Sequence, residues 1–575
     1  MGCGLLLVSA VFPPARPAQG PTRPSEHPGA ASRDRLEIIE DLSESLANDL
    51  LDLSVATRGG DLARTSEFFA ETLSVTPFPS LAQPFKSEIK WIGSRGWSSA
   101  AAGEASPPEA RPISRVEFMR DWAAFLGHFA EIEDARFKVK ESTFEAAAGV
   151  VPGANEPTAT PGSRGRGLVA FYVLGRNTEG QREWARGTAS VKVRRGPERW
   201  QFESFLTTKL ESMLSTIDLF SEVSEPAGLA LQRPPYGSSG NGSFVWSGAA
   251  AGDIDRDGWI DLFVTGSERN YLYLNQGDGR FRDASDEVGV RALASGVAPL
   301  LLDYDNDGDQ DVFLSAVGLQ VLLENRLVPE GQVSFRDVSL EAGVASPAVG
   351  FSATSADVNG DGRPDVYVAS YNHYGHVTPN SWFRATNGTP NLLFVSQPGG
   401  GFREEARKWG VDDSRWSYAA AFADVNEDGR PDLYVANDFG EKGLFIHRGD
   451  RFAEEARERG VLDPGNGMGV AFGDYNNDGL LDLHVTNMSS TAGNRILSRL
   501  FPDAKPEGNV LVKLAAGNSL YENLGGGRYR DVTAEVGGFS GGWAWGGGFI
   551  DFDNDGWEDI FTPNGFISGK SMKDT

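Results

Sequence analysis

The 575-residue chain has little cysteine, few histidines and no long apolar segment, and these shortages argue against several classes of protein. Its one cysteine, Cys3, cannot form an intrachain disulfide or a thiolate metal cluster. The longest apolar run, residues 4–12, is far shorter than the roughly 20 residues that span a bilayer. The sequence therefore predicts neither a cysteine-based zinc or iron–sulfur site nor a transmembrane helix.

Basic residues are also scarce relative to acidic ones. Lys and Arg number 53 against 80 Asp and Glu, which gives a net charge of −27. Residues 1–218 account for −3 and the remainder for −24, so the excess lies in the second part of the chain. Such a surface repels nucleic-acid phosphates and anionic membranes. A cation-binding protein fits this charge better than a nucleic-acid-binding one.

The first 33 residues predict a signal-like segment followed by a disordered linker. Residues 4–12 resemble the apolar region of a secretory signal, although a basic segment before them is missing. Residues 13–33 are rich in Pro, Ala, Ser and Arg without periodicity. We therefore expect a secreted, periplasmic or cell-surface protein.

Residues 34–218 begin with helical patterns. Apolar residues recur at helical spacing from residue 36 to 53, and a second helix is expected at about residues 62–73. Ser114 and Glu117 form a capping box that opens a third helix. The apolar face expected for this helix consists of Val116, Met119, Trp122, Phe125, Leu126 and Phe129.

Strand patterns follow the helices. Apolar residues alternate with period two at about residues 137–139, 168–174, 189–193 and 200–202, with a Gly- and Pro-rich insertion at 146–166. Helices followed by antiparallel strands predict an α+β domain, and the order resembles the NTF2-like (SnoaL-type) cone fold over roughly residues 60–217. The resemblance implies a cone that can hold a small ligand, whereas a packed docking domain is the alternative. His128 is expected to lie in an apolar helix and to pack in the core.

From residue 219 onward the chain repeats itself. A nine-residue motif, D-x-[D/N]-x-D-G-x-x-D, occurs six times, and we number these loops one to six in chain order. The starts are 50, 54, 67, 50 and 77 residues apart, so insertions are expected near residues 371–390 and 489–517. The predicted ligands are Asp253, Asp255, Asp257 and Asp261; Asp303, Asp305, Asp307 and Asp311; Asp357, Asn359, Asp361 and Asp365; Asp424, Asn426, Asp428 and Asp432; Asp474, Asn476, Asp478 and Asp482; Asp551, Asp553, Asp555 and Asp559.

The spacing has a chemical reason. Oxygens at positions one, three, five and nine, with a backbone carbonyl at position seven, supply the six to eight oxygens that Ca²⁺ prefers. Mg²⁺ retains more water and requires stricter octahedral geometry, so we expect about six Ca²⁺ sites. Glycine at position six permits the positive φ of the turn. These glycines are Gly258, Gly308, Gly362, Gly429, Gly479 and Gly556.

The loops differ from EF-hands because strands flank them. Position twelve, where an EF-hand has a bidentate Glu, is Val264 in loop one and Leu314 in loop two. Position nine begins an apolar strand, and a third strand and a short fourth strand follow. The fourth strands begin with an aromatic residue, as at Phe281 and Tyr529. Four strands per repeat predict the blade of a β-propeller.

The repeats resemble the FG-GAP/VCBS-repeat β-propellers of integrin α-subunits and, more closely, of CRTAC-like and ASPIC/UnbV-associated proteins. The resemblance covers about residues 219–575 and implies seven blades and often a C-terminal ASPIC/UnbV domain. Residues 220–223 have the pattern of a fourth strand, but they precede loop one. We therefore expect them to close the last blade, the rest of which would lie beyond residue 575. A six-bladed ring is the alternative.

The chemistry expected from these features is non-catalytic: an exported calcium-binding scaffold for protein or polysaccharide recognition or adhesion. Residues 538–542 match the G-x-S-x-G motif of hydrolases, but no histidine follows residue 484. His373 and His376 have a spacing that could bind a transition metal, although surface positions are the more common role. A polysaccharide-degrading propeller and a small-molecule activity in the cone stay open as alternatives. The aromatic residues Trp416, Tyr418, Trp543 and Trp545 could line a carbohydrate-binding face or pack between blades.

Overall fold

The computed structural model describes two folded regions that are joined end to end along the chain. The described residues are 30–76, 86–89, 92–98, 110–145, 159–218, 220–229, 248–266, 269–293, 296–372, 377–501, 503–538 and 542–563. The predicted signal segment, His373, His376 and Ser540 lie outside these ranges.

In its described residues, the first region combines three helices with an eight-stranded sheet. The sheet order is β2-β3-β8-β7-β6-β5, and β1 joins it by pairing with β4 and β8. The helices are α1 (Ala30–Arg58), α2 (Leu62–Ser66) and α3 (Arg115–Leu126). The strands are β1 (Phe69–Val75), β2 (Lys86–Ile89), β3 (Ile92–Ser98), β4 (Arg111–Ser114), β5 (Phe129–Phe144), β6 (Arg164–Asn177), β7 (Arg182–Arg195) and β8 (Trp200–Ser215).

Aromatic side chains fill the core of this region. Helix α1 contributes Leu42, Leu46, Leu50 and Leu53 to a core that lies between the helices and the curved sheet. Trp122 of α3 is fully buried and lies 5.9 Å from the Phe137 ring of β5. Burial of this much aromatic surface is the main stabilising contribution to the domain. The predicted α+β organisation is confirmed.

Three details of the helical prediction were wrong. The second helix ends at Ser66, and residues 69–75 form β1 instead, a strand that buries Phe69, Leu73 and Val75 and pairs with β4 and β8. Helix α3 ends at Leu126, so Phe129 begins β5 and does not belong to the helix. In α3 the side chain of Val116 is 79% exposed, while Phe118 is buried in its place. The capping box itself is confirmed, since Ser114 Oγ accepts the Glu117 N–H at 3.2 Å and Glu117 Oε2 accepts the Ser114 N–H at 3.0 Å.

The second region consists of successive small antiparallel sheets, as the repeats predict. Within the described residues, sheets one, two, four and five have four strands, sheet three has an extra edge strand, and sheet six has two strands. The strands are β9 (Ala249–Gly252), β10 (Asp261–Thr265), β11 (Asn270–Asn275) and β12 (Phe281–Asp283); β13 (Ala298–Leu302), β14 (Asp311–Ser315), β16 (Val321–Asn325) and β17 (Phe335–Asp337); β15 (Val317–Leu319), β18 (Pro347–Ala356), β19 (Asp365–Ser370), β20 (Leu392–Ser396) and β21 (Phe402–Glu404); β22 (Ser417–Ala423), β23 (Asp432–Asn437), β24 (Gly443–His447) and β25 (Phe452–Glu454); β26 (Gly467–Gly473), β27 (Asp482–Asn487), β28 (Ser519–Asn523) and β29 (Tyr529–Asp531); β30 (Gly548–Ile550) and β31 (Asp559–Phe561).

Consecutive sheets pack face to face, with their first strands adjacent. Strand β13 contacts β9 and β18, β22 contacts β18 and β26, and β30 contacts β26. Apolar and aromatic side chains fill the space between sheets, such as Tyr434, Leu483 and Tyr521 between sheets four and five. This is the blade packing of a β-propeller. Short helices lie in the connections: α4 (Leu327–Glu330), α5 (Ala406–Trp409), α6 (Thr491–Leu500), α7 (Val510–Ala516) and α8 (Thr533–Val536).

Phe220 lies next to loop six, the last of the motif loops. The Phe220 ring lies 5.8 Å from Phe552, which is position two of loop six. The rings of Tyr304 and Phe402 lie 6.3 Å apart in a comparable contact. Tyr304 is position two of loop two, and Phe402 begins the fourth strand of the following sheet. By this analogy Phe220 lies beside loop six as Phe402 lies beside loop two. Closure of the ring stays a prediction.

Both predicted insertions connect the second and third strands of a sheet. Residues 371–391 join β19 to β20, and residues 488–518 join β27 to β28 and contain α6 and α7. Helix α6 lies against β5, and its Arg495 forms an ion pair with Glu40 of α1. Since Arg495 is only 6% exposed, this pair is a buried contact between the two regions.

Replacement of Glu40 by alanine is expected to weaken this contact. The change leaves the Arg495 guanidinium as a buried charge without its carboxylate partner, and we expect a loss of about 2 kcal/mol because Glu40 itself is partly exposed. Differential scanning calorimetry measures this as a lower unfolding midpoint. Glu44→Ala, at an exposed site one turn further along α1, is the matched control. Equal effects of the two variants would contradict the assignment.

Candidate metal centres

Each of the six motif loops connects the first and second strands of a sheet and has the same backbone frame. The glycine at position six has a positive φ in every loop, from 81° at Gly429 to 95° at Gly308. Its N–H donates to the carboxylate at position one at 2.7 to 3.0 Å in all six loops. The predicted role of glycine is therefore confirmed. The turn directs the position-one carboxylate toward the interior of its own loop.

Position four also has a left-handed backbone, which the motif did not predict. The φ angles are 60° at Arg256, 61° at Asn306, 62° at Glu427, 55° at Asn477 and 57° at Asn554, and loop three has a glycine there. Asparagine tolerates this conformation better than most residues. The Asn and Gly residues at position four were the signal in the sequence from which this second reversal could have been predicted.

Position nine anchors the loop in the sheet. Asp365 is fully buried, and its two carboxylate oxygens accept the N–H groups of Ser396 at 2.7 Å and Val358 at 2.8 Å. The same contact to the end of the third strand recurs in loops one, two, four and five. The position-nine Asp begins the second strand in every loop, as predicted. This residue therefore has a structural role in addition to any role as a ligand.

Carboxylates converge in three of the loops. One oxygen each from positions one, three and nine lies within 4.8 Å of the others in loop one (Asp253, Asp255, Asp261), loop two (Asp303, Asp305, Asp311) and loop six (Asp551, Asp553, Asp559). Loops three to five have Asn at position three and present fewer carboxylates. Oxygen donors in this arrangement suit a hard divalent cation.

Two buried oxygens of the predicted ligands have no hydrogen-bond donor in the described residues. Oδ1 of Asp253 in loop one and Oδ2 of Asp482 in loop five have no hydrogen-bond partner among the described residues. In loops one to four the corresponding Oδ2 at position nine accepts the N–H of position two, for example Ile254 at 2.9 Å. A buried carboxylate oxygen without a donor is costly. The residues present therefore fit a bound cation.

Burial raises the pKa of several loop carboxylates, mainly at position nine. Burial raises the pKa of Asp255 to about 6, with the charges of Asp261 and Asp257 adding to the effect. Burial likewise raises the pKa of Asp311 to about 8, and those of Asp432 and Asp482 to about 6. A positive charge close to such a carboxylate stabilises its ionised form and offsets the effect of burial. A bound cation would supply that charge.

The histidines in the described residues have structural partners or apolar surroundings. The prediction that His128 lies in a helix was wrong, because this residue lies in the turn that follows α3. Its Nε2 lies 2.6 Å from Oε2 of the buried Glu183. Asn177 and Ser212 bind the same carboxylate. His447 bonds the Val358 carbonyl at 2.8 Å. Burial lowers the pKa of His484 to about 4.

Of the aromatic residues singled out in the sequence, Trp416 is buried, and Tyr418, Trp543 and Trp545 are partly buried. Trp416 is fully buried, with the Tyr371 ring 4.9 Å away, and its indole N–H donates to Asn387 at 2.9 Å. Tyr418 and Trp545 pack against each other at 6.1 Å. This favours packing over a carbohydrate-binding face at these positions. Trp382, on the first insertion, is 63% exposed and was missed.

One crevice of the first region lies in its described part, between α1 and the sheet. The crevice between α1 and the sheet, lined by Leu46, Asp49 and Trp200 among others, is too narrow to admit a water molecule. None of the described helices has the length and apolarity needed to cross a membrane.

One known family of repeats matches the part of the chain that contains the motif loops. The model of the FG-GAP-like repeat matches residues 253–314, 357–435 and 424–485. Each match begins at position one of a loop, and together they contain loops one to five. The second region of the chain therefore contains FG-GAP-like repeats.

Among characterised proteins, the chain is similar to cartilage acidic protein 1. It is 26% identical to the mouse protein over 227 residues, covering 35% of this chain and 32% of the mouse protein. The human protein is also 26% identical, with 31% of its length covered. The chain thus aligns with about a third of the length of these relatives.

Solved structures give weaker likenesses. A lectin from Agrocybe aegerita that recognises non-reducing terminal N-acetylglucosamine is 13% identical with a TM-score of 0.30, covering 71% of this chain and 86% of the lectin. A protein of the NTF2-like family from Streptomyces avermitilis is 13% identical with a TM-score of 0.17, covering 29% of this chain and 94% of that structure. TM-scores in this range do not establish a common fold.

Proposed function

We propose that this FG-GAP-repeat chain binds Ca²⁺ in its six loops and acts outside the cell as a non-catalytic scaffold that recognises a protein or polysaccharide ligand. The observation that supports this most is the common loop frame. Six loops present a carboxylate at position one in the same way, and three of them gather three carboxylates around one point. Ca²⁺ would supply the positive charge that these carboxylates lack.

The four ligand positions of each loop have different roles. Position one shapes the turn by accepting the N–H of position six, and position nine ties the loop to the second and third strands. Positions three and five are the more exposed side chains and complete the donor set. A cation held by all four would connect the turn to the sheet, so its binding would stabilise the blade through linkage.

The recognition face proposed for the scaffold is the end of the sheets that carries the two insertions. These lie at the opposite end of the second strands from the cation loops. The exposed Trp382 lies on the first insertion, and its ring is 5.5 Å from Phe439. An exposed, supported aromatic ring is suited to stacking on a sugar or an apolar side chain.

Single substitutions at position one are expected to remove one site each. Asp253→Ala, Asp303→Ala and Asp551→Ala should each lower the calcium stoichiometry by about one, because each loses a ligand and the acceptor that shapes the turn. Titration calorimetry on chelator-stripped protein measures the stoichiometry, and near six ions are expected for the unmodified chain.

The matched control is Asp450→Ala, which removes an exposed carboxylate from a turn at the same end of the sheets but outside the loops. Its stoichiometry should equal that of the unmodified chain. Unchanged stoichiometry in the three loop variants would exclude these residues as ligands. Release of reducing ends from a polysaccharide by the loaded protein would favour the enzymatic alternative.

A further inference from the structure

The six loops differ at position seven in a way that divides them into two groups. Loops three and four have arginine there, Arg363 and Arg430, in the sequence D-G-R-P-D. The other loops have Trp259, Asp309, Leu480 and Trp557. Because position seven is expected to offer only its backbone carbonyl to a cation, its side chain is free to act otherwise.

Both arginines bind the carboxylate at position five of their own loop. The Arg363 guanidinium lies 2.5 Å from Oδ2 of Asp361, and that of Arg430 lies 2.7 Å from Oδ2 of Asp428. The other oxygen of each carboxylate accepts the backbone N–H of the same arginine, at 3.1 and 3.0 Å. Both oxygens of the position-five carboxylate are therefore occupied in loops three and four.

Loops one, two and six lack this competition. No donor among the described residues reaches the second oxygen of Asp257, Asp307 or Asp555. In loop five the second oxygen of Asp478 accepts only the neutral amide of Asn476, at 3.1 Å. Loop five thus shares Asn at position three with loops three and four but has the uncharged Leu480 at position seven, which makes it a natural comparison within the chain.

We infer that Arg363 and Arg430 act as built-in competitors for the cation, so that loops three and four bind Ca²⁺ more weakly than the other loops. A cation entering these loops must displace the guanidinium from Asp361 or Asp428 and then share the loop with its positive charge. At a separation of about 5 Å, the repulsion between a divalent ion and a guanidinium in a water-like medium corresponds to roughly a tenfold loss of affinity. The ion pair also holds the loop in shape when no cation is bound.

This inference rests on the proposed calcium binding, and titration calorimetry on the stripped full-length chain separates the two. The unmodified chain should show about four tighter sites and two sites that are roughly tenfold weaker. In Arg363→Gln/Arg430→Gln, which removes the charge and keeps a polar side chain, the two weaker sites should join the tighter class.

Leu480→Arg is the reciprocal variant. It places the arginine in loop five, where Leu480 is partly exposed, and should move one site from the tighter to the weaker class. Two weak sites that keep their affinity in the glutamine variant, or six equal sites in the unmodified chain, would overturn the arginine inference alone. No calcium binding by the unmodified chain would overturn the proposed function and this inference with it.

Discussion

Replacement of Asp365 by alanine is expected to destabilise the propeller region by about 3 kcal/mol even when a chelator removes all divalent cations. Asp365 is fully buried and accepts the N–H groups of Ser396 and Val358. Alanine leaves both donors buried without a partner, and each such donor costs about 1 to 3 kcal/mol. The loss is therefore independent of metal.

Asp357→Ala is the control that separates the effect of losing a calcium ligand from the effect of losing buried hydrogen bonds. Asp357, at position one of the same loop, accepts the N–H groups of Asp361 at 3.0 Å and Gly362 at 2.7 Å, and both donors are exposed to solvent. Water can replace this acceptor, so we expect a loss below about 1 kcal/mol in chelator.

Urea unfolding monitored in chelator and again in excess Ca²⁺ distinguishes the two variants. Both should lose the stabilisation that Ca²⁺ gives to loop three, but only Asp365→Ala should be destabilised without it. If the two variants unfold at the same urea concentration in chelator, position nine has no structural role separate from the cation.

The second large effect concerns pH. In chelator, the free energy of unfolding should fall as the pH rises from about 4 to about 8. Burial raises the pKa of Asp255, Asp432 and Asp482 to about 6 and that of Asp311 to about 8, whereas unfolded Asp titrates near 4. Over this window the folded chain binds more protons than the unfolded chain. Stability is therefore greatest where these carboxylates are protonated and decreases as they ionise.

Saturating Ca²⁺ should reverse this trend, because ionised carboxylates bind the cation and protons compete with it. Thermal melts between pH 5 and pH 8, with chelator and with Ca²⁺, measure both slopes. His484 contributes in the opposite sense between its lowered pKa of about 4 and the unfolded value near 6.5, but its contribution is the same in both series. Parallel slopes in the two series would show that the loop carboxylates do not respond to the cation.

The sequence predicted the repeat region well because its signals are local. An Asp at position nine begins a strand in all six repeats, and glycine at position six takes a positive φ, since one residue type in one place decides each feature. The long intervals correctly indicated both insertions. Residues 69–75 were predicted less well because Phe69, Leu73 and Val75 fit either period over so short a stretch.

Contacts between distant residues could not be predicted in this way. His128 and Glu183 lie 55 residues apart, and their pairing depends on the register of β5, β6 and β7. Glu40 and Arg495 are 455 residues apart and meet only because α6 docks against the first region. The guanidinium contacts of Arg363 and Arg430 are local, but the nine-residue motif leaves position seven unspecified and therefore does not predict them.

The placement of the insertions has an electrostatic consequence. The motif loops and the insertions lie at opposite ends of the second strands. Strand β19, for example, has six residues and thus a length of about 20 Å. The Debye length at physiological ionic strength is about 8 Å. Salt would therefore screen a charged ligand at the insertions from a cation bound in the loops. Gain or loss of that cation would affect ligand binding through a change in the stiffness of the strand, and not through the electric field of the ion.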